Sequence, residues 1–408
     1  MMPEGWKKYR LDDLAERITS GGTPLTTRSD YYGGTIPWLK TQEINFNRIY
    51  DTETYISEVG LENSSAKWIS ENSVIVAMYG ATAGKVALSK IPLTTNQACC
   101  NITLNPRLAD YHFIYYNLLS RYSEILRMAT GAAQQNLNSG MIKDLLIILP
   151  DLQEQSRIAS ILSSLDDKIE LNLQMNKTLE AIAQAVFKEW FVDFQFPGFN
   201  EELVEGLPKG WRKTSLGVIC KRITKGTTPT TLKKDYVDNG INFIKVESID
   251  ECGNFITDKF AFIDEETNKM LKRSIIEEND ILFTIAGTIG RVAKADKSVL
   301  PANTNQAVSI IRIDDTKYID FIYLSLKSEI FMNLIQSKAV HAVQANISLG
   351  VISDSEVVIP DNNILHNFNR IINSILNKIT ANTYEVRTLK SIRDSLLTKL
   401  MTGKIKVA

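Results

Sequence analysis

Cysteine and histidine are scarce in this sequence of 408 residues, which contains four Cys and three His. The cysteines are Cys99, Cys100, Cys220 and Cys252, and no two of them have CxxC spacing. The sequence therefore argues against a zinc site and against a disulfide framework, and it fits a reducing cytoplasm, where we expect the protein to reside. Long apolar runs are also absent, and the N-terminal MMPEGWKKYR has no apolar signal region, so we expect no membrane span.

An excess of charge of one sign is absent as well. The formal net charge is -1, with 44% hydrophobic and 23% charged residues, as in an ordinary soluble protein. Bulk composition thus gives no sign of nucleic-acid binding, and any basic surface must be local or completed by a partner. The length allows two or three domains, each with its own core.

A nucleotide-binding pattern is missing from the most suggestive glycine-rich stretch, MYGATAGKVALS at residues 78–89. A P-loop has four residues between its glycines and a Ser or Thr after its Lys. Here three residues separate Gly80 from Gly84, and Val86 follows Lys85. Two interpretations remain open: a strand-connecting turn with structural glycines, or a loop whose backbone and cation contact a nucleic-acid phosphate. With no GxGxxG motif either, we expect no catalysis and no cofactor in this chain.

The sequence contains an internal repeat, with an offset that drifts from 205 to 210 residues. PEGWKKYRLDDLAERITSGGTP, from Pro3, returns as PKGWRKTSLGVICKRITKGTTP, from Pro208. IPWLK returns as INFIK, GATAGKVA as AGTIGRVA, TNQA as TNQA, and AAQQNLNSG as AVQANISLG. In each copy, short β-like runs and helical patches precede a long helical pattern. We therefore predict two α+β globules, at residues 1–150 and 197–360, each followed by a helix, at 151–196 and 361–408.

Each long helical pattern carries a heptad seam, which predicts a coiled coil. The seam of the first helix includes Leu162, Leu165, Ile169, Asn172 and Leu179. The seam of the second includes Ile372, Ile375, Ile379, Asn382 and Leu389. Chain order makes such a pair antiparallel, with a spacer of about 60 Å at most, and buried Asn residues would cost stability but fix the register. The alternative is that each helix packs only on its own globule.

In this tandem order, the motifs SGGTP (20–24), IPWLKTQEI (36–44), GATAGKVA, TNQA and QQNLN resemble the specificity subunit of a type I restriction-modification system. The likeness covers nearly the whole chain, although Thr227 stands where the first copy has Gly22. The resemblance implies two target-recognition domains, each reading one half of a split double-stranded DNA sequence. It also implies that the helices set the spacer and dock two modification (methylation) subunits that carry S-adenosylmethionine. Motor-nuclease restriction subunits would add ATP- and Mg-dependent translocation and cleavage.

Candidate DNA-binding residues lie on the loops of these motifs, where glycines allow close approach, hydroxyls and cations reach phosphates, and Gln can bind adenine. In the first copy they are Ser20, Gly21, Thr23, Lys40, Thr41, Gln42, Tyr79, Lys85, Gln134, Gln135 and Asn136. In the second copy they are Lys225, Thr227, Thr228, Lys245, Glu247, Arg291, Gln344 and Asn346. The alternative for each is a turn-stabilising or solvated polar group. Because the loops differ between copies, we predict unlike half-sites.

Two pairs of repeated residues have structural interpretations. Asn96 and Asn305 are expected to brace turns through side-chain to backbone bonds, and Trp6 and Trp211 to anchor the start of each globule in its core. A second function remains open for the whole chain, namely a non-catalytic protein-binding scaffold with a coiled-coil strut. Salt dependence separates the two, since phosphate contacts weaken steeply with salt.

Overall fold

Two long helices begin directly after the Pro-Asp pair that closes each globule. The first spans Leu152–Phe191 and the second Asn362–Met401, with 40 residues each. The Asp151 carboxylate accepts the backbone N–H of Glu154 at 2.9 Å, and the Asp361 carboxylate accepts that of Asn363 at 2.8 Å. These caps satisfy donors that the first helical turn leaves unpaired, which explains why the helices start here.

The computed structural model describes residues 3–130, 136–199, 203–340 and 346–407, without the side chains of 129, 130, 339 and 340. The candidate residues Gln134, Gln135 and Gln344 lie outside the described residues. The chain forms two units: unit 1 comprises Met1–Leu173 and Tyr384–Ala408, and unit 2 comprises Gln174–Thr383. Each unit thus combines one globule with half of each long helix. Within the described ranges, no helix has the length and apolarity needed to cross a membrane.

Unit 1 is an α+β globule of short strands and helices. Its strands are β1 (Lys7–Arg10), β2 (Ala15–Ser20), β3 (Tyr32–Leu39), β4 (Asn47–Ile49), β5 (Tyr55–Ile56), β6 (Trp68–Ile69), β7 (Val74–Ala77), β8 (Val86–Ser89), β9 (Leu93–Thr95), β10 (Cys99–Leu104) and β11 (Leu146–Leu149). Its shorter helices are Leu11–Leu14, Glu58–Glu62, Tyr111–Ser120, Tyr122–Thr130 and Ser139–Lys143. The strands pair in the orders β1-β11, β2-β10-β7-β8-β4 and β5-β3-β9-β6. The β3–β9 pair is parallel, whereas β10 is antiparallel to both its neighbours.

Unit 2 repeats this topology, except that its two larger sheets have no strand at the places of the edge strands β4 and β6. Its strands are β12 (Arg212–Ser215), β13 (Cys220–Lys225), β14 (Ile241–Ile244), β15 (Ala261–Ile263), β16 (Ile281–Thr284), β17 (Val292–Lys294), β18 (Ala302–Thr304), β19 (Val308–Ile313) and β20 (Glu356–Ile359). Its shorter helices are Leu216–Ile219, Glu265–Met270, Ile319–Lys327, Glu329–Val340 and Leu349–Ser353. The orders are β12-β20, β13-β19-β16-β17 and β15-β14-β18, with β14–β18 parallel. The predicted duplication is therefore a duplication of fold.

The repeated Trp residues lie in the two cores, as predicted. Trp6 is buried in unit 1, with its ring 6.0 Å from that of Phe113. Trp211 is buried in unit 2 and stacks on Phe196 at 5.2 Å. Each Trp thus attaches the first strand of its copy to the apolar core, where burial of an aromatic side chain contributes roughly 2–3 kcal/mol.

In unit 1, the first half of the first long helix pairs antiparallel with the second half of the other. Arg393 and Asp166 form an ion pair at 2.9 Å, and Asn172 donates to Glu385 at 2.9 Å. The seam is mostly apolar around these contacts, since Leu162 and Ile169 are buried and Leu165 and Leu389 are half-buried. The predicted antiparallel coiled coil is confirmed in this unit.

In unit 2, the remaining halves of the two helices pair in the same sense. Asn382 is fully buried and donates to the Asn176 side chain at 2.9 Å. The other predicted seam residues of this half are Leu179, Ile372, Ile375 and Ile379, of which Ile372 is fully buried and the rest half-buried. Buried side-chain amides within an apolar seam favour one register over its neighbours.

Candidate nucleic-acid interface

Five loops of unit 1 meet at one edge of the globule, which we call loop edge 1. It comprises residues 20–24, 40–42, 79–85, 96–98 and 136. The Gly22 N–H donates to Thr95 O at 2.9 Å, and the Asn96 N–H donates to Leu39 O at 3.0 Å. Through these two bonds, the loops that follow β2, β3 and β9 are held side by side.

Further bonds attach the glycine-rich turn and the segment after residue 135 to the same edge. Met78 lies at the centre, since its N–H donates to Ala98 O at 2.8 Å and its carbonyl accepts the Leu137 N–H at 2.9 Å. The Thr82 hydroxyl donates to Thr41 O at 2.8 Å. Motifs that are up to 116 residues apart in sequence, from 20 to 136, therefore form one surface.

Unit 2 builds loop edge 2 in the same way from residues 225–229, 245–247, 286–291, 305–307 and 346. Ile285 replaces Met78 at the centre: its N–H donates to Ala307 O at 2.8 Å, and its carbonyl accepts the Ile347 N–H at 2.9 Å. Asn346 forms a β-bridge with Ala286. The Gly226 N–H donates to Asn305 O at 3.0 Å.

The first glycine of the SGGTP loop has a packing role in each copy. A Cβ on Gly21 would lie 2.1 Å from Thr95 O, and one on Gly226 would lie 1.7 Å from Thr304 O. Both glycines are buried. The absence of a side chain here allows the protein's own loops to approach each other, and contact of the Gly21 backbone with DNA stays a prediction.

The cation after each glycine-rich turn contacts the protein. The Lys85 ammonium donates to Asn45 Oδ1 at 2.8 Å and lies 5.8 Å from the centre of the Phe46 ring. Arg291 Nη1 donates to Ile249 O at 2.6 Å and to Val246 O at 3.2 Å. These contacts favour the structural interpretation of the turn for Arg291, while the half-exposed Lys85 keeps further donors. Phosphate contact by either residue stays a prediction.

The loop after β3, and its counterpart after β14, present a lysine and an exposed polar residue. The Lys40 ammonium lies 5.7 Å from the Trp38 ring centre, and that of Lys245 lies 5.7 Å from the Tyr236 ring centre. Thr41 is buried, whereas Gln42 and Glu247 are exposed. Lys245 and Glu247 form an ion pair at 2.8 Å.

The environment of Glu247 keeps its side chain ionised. Partial burial acts to raise the pKa of the Glu247 carboxyl group, but the hydrogen bond and the charge of Lys245 outweigh burial and lower that pKa below its usual value. Glu247 is therefore only a hydrogen-bond acceptor near neutral pH. Gln42, at the same place in the first copy, offers both a donor and an acceptor.

The TNQA motif contributes residues that the list of candidates omitted. Gln97 Oε1 accepts the Thr23 hydroxyl, and Gln306 Oε1 accepts the Thr228 hydroxyl. Both glutamine residues are exposed, and each has an amide NH₂ group as a further donor. The signal was present in the sequence, because TNQA is the one motif repeated without change. Asn96 and Asn305 brace the turn as predicted, accepting the N–H of residues 98 and 307 at 3.1 and 3.0 Å.

The remaining candidates occupy the loop edges with different exposure. Ser20, Thr23, Asn136, Lys225 and Asn346 are exposed, whereas Thr227 and Thr228 are half-buried. Tyr79 is half-buried against the unit 1 core, and burial raises the pKa of its hydroxyl. Thr227 accepts a long hydrogen bond from Arg273 at 3.4 Å. Contact of these residues with DNA stays a prediction.

Polar contacts fix globule 1 on the first long helix. Arg48, which is buried, pairs with Asp167 and donates to Ser163 O at 3.2 Å. Tyr50 donates its hydroxyl hydrogen to Glu170 at 2.8 Å. Sequence reasoning missed these residues because their partners lie more than 100 positions away and no local pattern marks them.

Each unit has an equivalent loop edge, which is held together by backbone hydrogen bonds. Each loop edge belongs to a globule that packs on the paired long helices. Two such units define a tandem recognition protein. The sequence model of the type I restriction modification DNA specificity domain matches residues 3–181 and 208–392, and the chain belongs to this family. Its role is accordingly recognition of DNA sequence rather than catalysis, as predicted.

Individual relatives agree with this assignment over nearly their whole lengths. The MjaIX type I restriction enzyme specificity subunit of Methanocaldococcus jannaschii is 29% identical over 424 residues, covering 100% of this chain and 95% of that protein. The HindI specificity subunit of Haemophilus influenzae is 24% identical over 470 residues, covering 98% and 99%. The crystal structure of a type I restriction-modification S subunit from M. genitalium has the same fold, with a TM-score of 0.61 at 18% identity and coverage of 98% and 99%.

Proposed function

We propose that this chain is the specificity subunit of a type I restriction-modification complex and that its target is an asymmetric, bipartite DNA sequence. Loop edge 1 reads one half and loop edge 2 the other. The observation that carries the proposal is that both units hold the same loops by equivalent bonds while their exposed side chains differ, as at Gln42 and Glu247. A common scaffold with different readers suits two unlike half-sites.

The residues that are identical in the two loop edges suit contacts with the phosphate backbone, which every DNA sequence has. Lys40 and Lys245, and the Thr–Gln pairs at 23–97 and 228–306, occur in both copies. Ammonium, hydroxyl and amide donors bind phosphate oxygens, which position a protein without reading sequence. Because the net charge is near neutral, the electrostatic contribution of this chain to DNA affinity is small, and partner subunits complete the binding surface.

The long helices dock two methylation subunits and set the distance between the half-sites. Exposed large apolar side chains on the helices support this role: Leu171, Leu173 and Ile392 in unit 1, and Ile182 and Ile371 in unit 2. Such side chains on a water-facing helix suit a protein interface. The docked subunits carry S-adenosylmethionine and methylate adenine, and restriction subunits add ATP- and Mg-dependent cleavage.

The test is single-molecule sequencing of DNA from cells that express the chain with its methylation subunit, scored for N6-methyladenine. A split motif with two unlike halves, lost when the chain is deleted, is the expected result. A motif with identical inverted halves would contradict the asymmetry. Absence of any motif, from a complex that forms and binds S-adenosylmethionine but whose DNA affinity is independent of salt, would favour a protein-binding scaffold.

A further inference from the structure

Gln42 and Glu247 occupy one position of the repeat, at the centre of equivalent 3₁₀ turns, Thr41–Glu43 and Val246–Ser248. Each turn directly follows a lysine, Lys40 or Lys245, that comes immediately after a strand, β3 or β14. The turn is closed by the same kind of bond in both copies: the Lys40 N–H donates to Glu43 Oε1 at 2.9 Å, and the Lys245 N–H donates to Ser248 Oγ at 3.1 Å. The two exposed side chains thus start from backbones of the same conformation.

The residue before this position is anchored in both copies, although by different groups. Thr41 O accepts the Thr82 hydroxyl at 2.8 Å, whereas Val246 O accepts Arg291 Nη1 at 3.2 Å. In each case the donor comes from the glycine-rich turn. Thr82 and Arg291 are unlike side chains, yet each holds the 3₁₀ turn of its copy in place. This indicates that the position of the turn matters, because the turn presents the side chain of its central residue, Gln42 or Glu247.

The side chain at this position differs in charge between the copies, as it also does at the exposed pair Ser20 and Lys225. The neighbouring Lys40 and Lys245 are identical, as are the Thr–Gln pairs and the bracing Asn residues. Identical groups cannot distinguish unlike half-sites. The first copy has a neutral amide at residue 42 where the second copy has a carboxylate at residue 247, and in the major groove these two groups prefer different bases.

We propose that Gln42 and Glu247 are equivalent base-reading residues, Gln42 contacting an adenine in one half-site and Glu247 a cytosine in the other. An amide pairs with the N6 donor and N7 acceptor of adenine, and a carboxylate accepts from the N4 amino group of cytosine. The flanking lysine holds a phosphate in both halves. This inference rests on the proposed function, and it assigns one base-contacting residue to each loop edge.

The experiment exchanges the two groups in the full complex with its methylation subunit. Gln42→Glu and Glu247→Gln are each expected to change the preferred base at one position, in one half-site only, by roughly tenfold or more, as for one bidentate contact. Glu62→Gln in unit 1 and Glu265→Gln in unit 2, which are exposed and outside the loop edges, provide matched controls with an unchanged motif. Single-molecule sequencing of methylated DNA reads all four.

The outcomes distinguish failure of the assignment of Gln42 and Glu247 from failure of the proposed function. A wild-type motif that both exchange variants methylate with unchanged base preference would overturn the assignment of the readers. If a variant methylates no DNA, competition binding against duplexes altered one base pair at a time decides: a changed ranking at one position supports the inference, and the wild-type ranking overturns it. A wild-type complex that methylates no split sequence would overturn the proposed function, and this inference with it.

Discussion

The hydroxyl of Tyr116 donates a hydrogen bond of 2.6 Å to the carboxylate of Asp166, and both side chains are buried. Tyr116 belongs to the globule of unit 1, whereas Asp166 belongs to the first long helix. The other oxygen of Asp166 accepts Arg393 Nη1, from the second long helix, at 2.9 Å. One carboxylate therefore connects three elements of unit 1, and it fixes the globule on the paired helices.

Removal of this carboxylate is expected to destabilise unit 1. Asp166→Ala leaves the buried Tyr116 hydroxyl and the Arg393 guanidinium without their shared partner, which costs about 3 kcal/mol for a buried ion pair. Asp394, the second carboxylate next to Arg393, is exposed, so Asp394→Ala should cost less than about 1 kcal/mol. Urea denaturation followed by tyrosine and tryptophan fluorescence compares the two variants. Equal losses would show that burial at Asp166 has no special importance.

The close approach of loops at Gly226 predicts a second, local effect. Gly226→Ala places a Cβ within 1.7 Å of Thr304 O, so backbone must move, and we expect a loss of roughly 3 kcal/mol. Gly350→Ala is the control in the same unit, because its nearest neighbour would be Ser348 Oγ at 3.6 Å and its helical site favours Ala. Thermal denaturation should show a lower midpoint for Gly226→Ala only. A similar midpoint for both variants would contradict the tight contact.

The sequence could predict the seam of the long helices but not the partners within it. The positions of Asn172 and Asn382 follow from a heptad period, which is a local property of the chain. Their partners depend on the register of two distant segments: Asn172 donates to Glu385, whereas Asn382 donates to Asn176. Nothing in the spacing of either helix alone distinguishes these pairings from others one turn away.

The loop edges were likewise predictable in part. The repeat identified the segments that carry the loops, because each is marked by Gly, Pro or Asn at matched positions. It did not identify which side chains the loops use internally. Arg291 is an example, since its guanidinium donates to Val246 O and Ile249 O. A cation after a glycine turn has the same sequence pattern whether it binds a carbonyl or a phosphate.

Acidification is expected to weaken unit 1 through His112. Burial, reinforced by the charge of Arg48, lowers the pKa of His112 to about 4, and its Nε2 is buried without a hydrogen-bond partner among the described residues. The unfolded chain titrates near 6.5. Between these values the unfolded state binds more protons, so stability falls as the pH drops from about 6.5 towards 4. Because the ring keeps some contact with solvent, we expect a loss of about 1–2 kcal/mol.

The contribution of His112 can be isolated by a variant that does not titrate in this window. Urea midpoints of the wild type and of His112→Gln are compared at about pH 7 and about pH 5. The wild type should lose more stability than the variant between the two conditions. Identical pH dependence in both proteins would mean that other groups dominate the acid response.

The lysines shared by the two loop edges should act on affinity and not on sequence preference. If Lys40 holds a phosphate, Lys40→Ala lowers the slope of log affinity against log salt by about 0.9 and weakens binding to all duplexes alike. Lys245→Ala should do the same for the second half-site, and it also releases Glu247 from its ion pair. Lys8→Ala, on the exposed face of β1 and outside both loop edges, serves as the control. Filter binding of the complex at several salt concentrations measures the slopes. A slope unchanged by Lys40→Ala would assign that lysine to the Trp38 ring, on which it already lies, and would remove it from the DNA contacts.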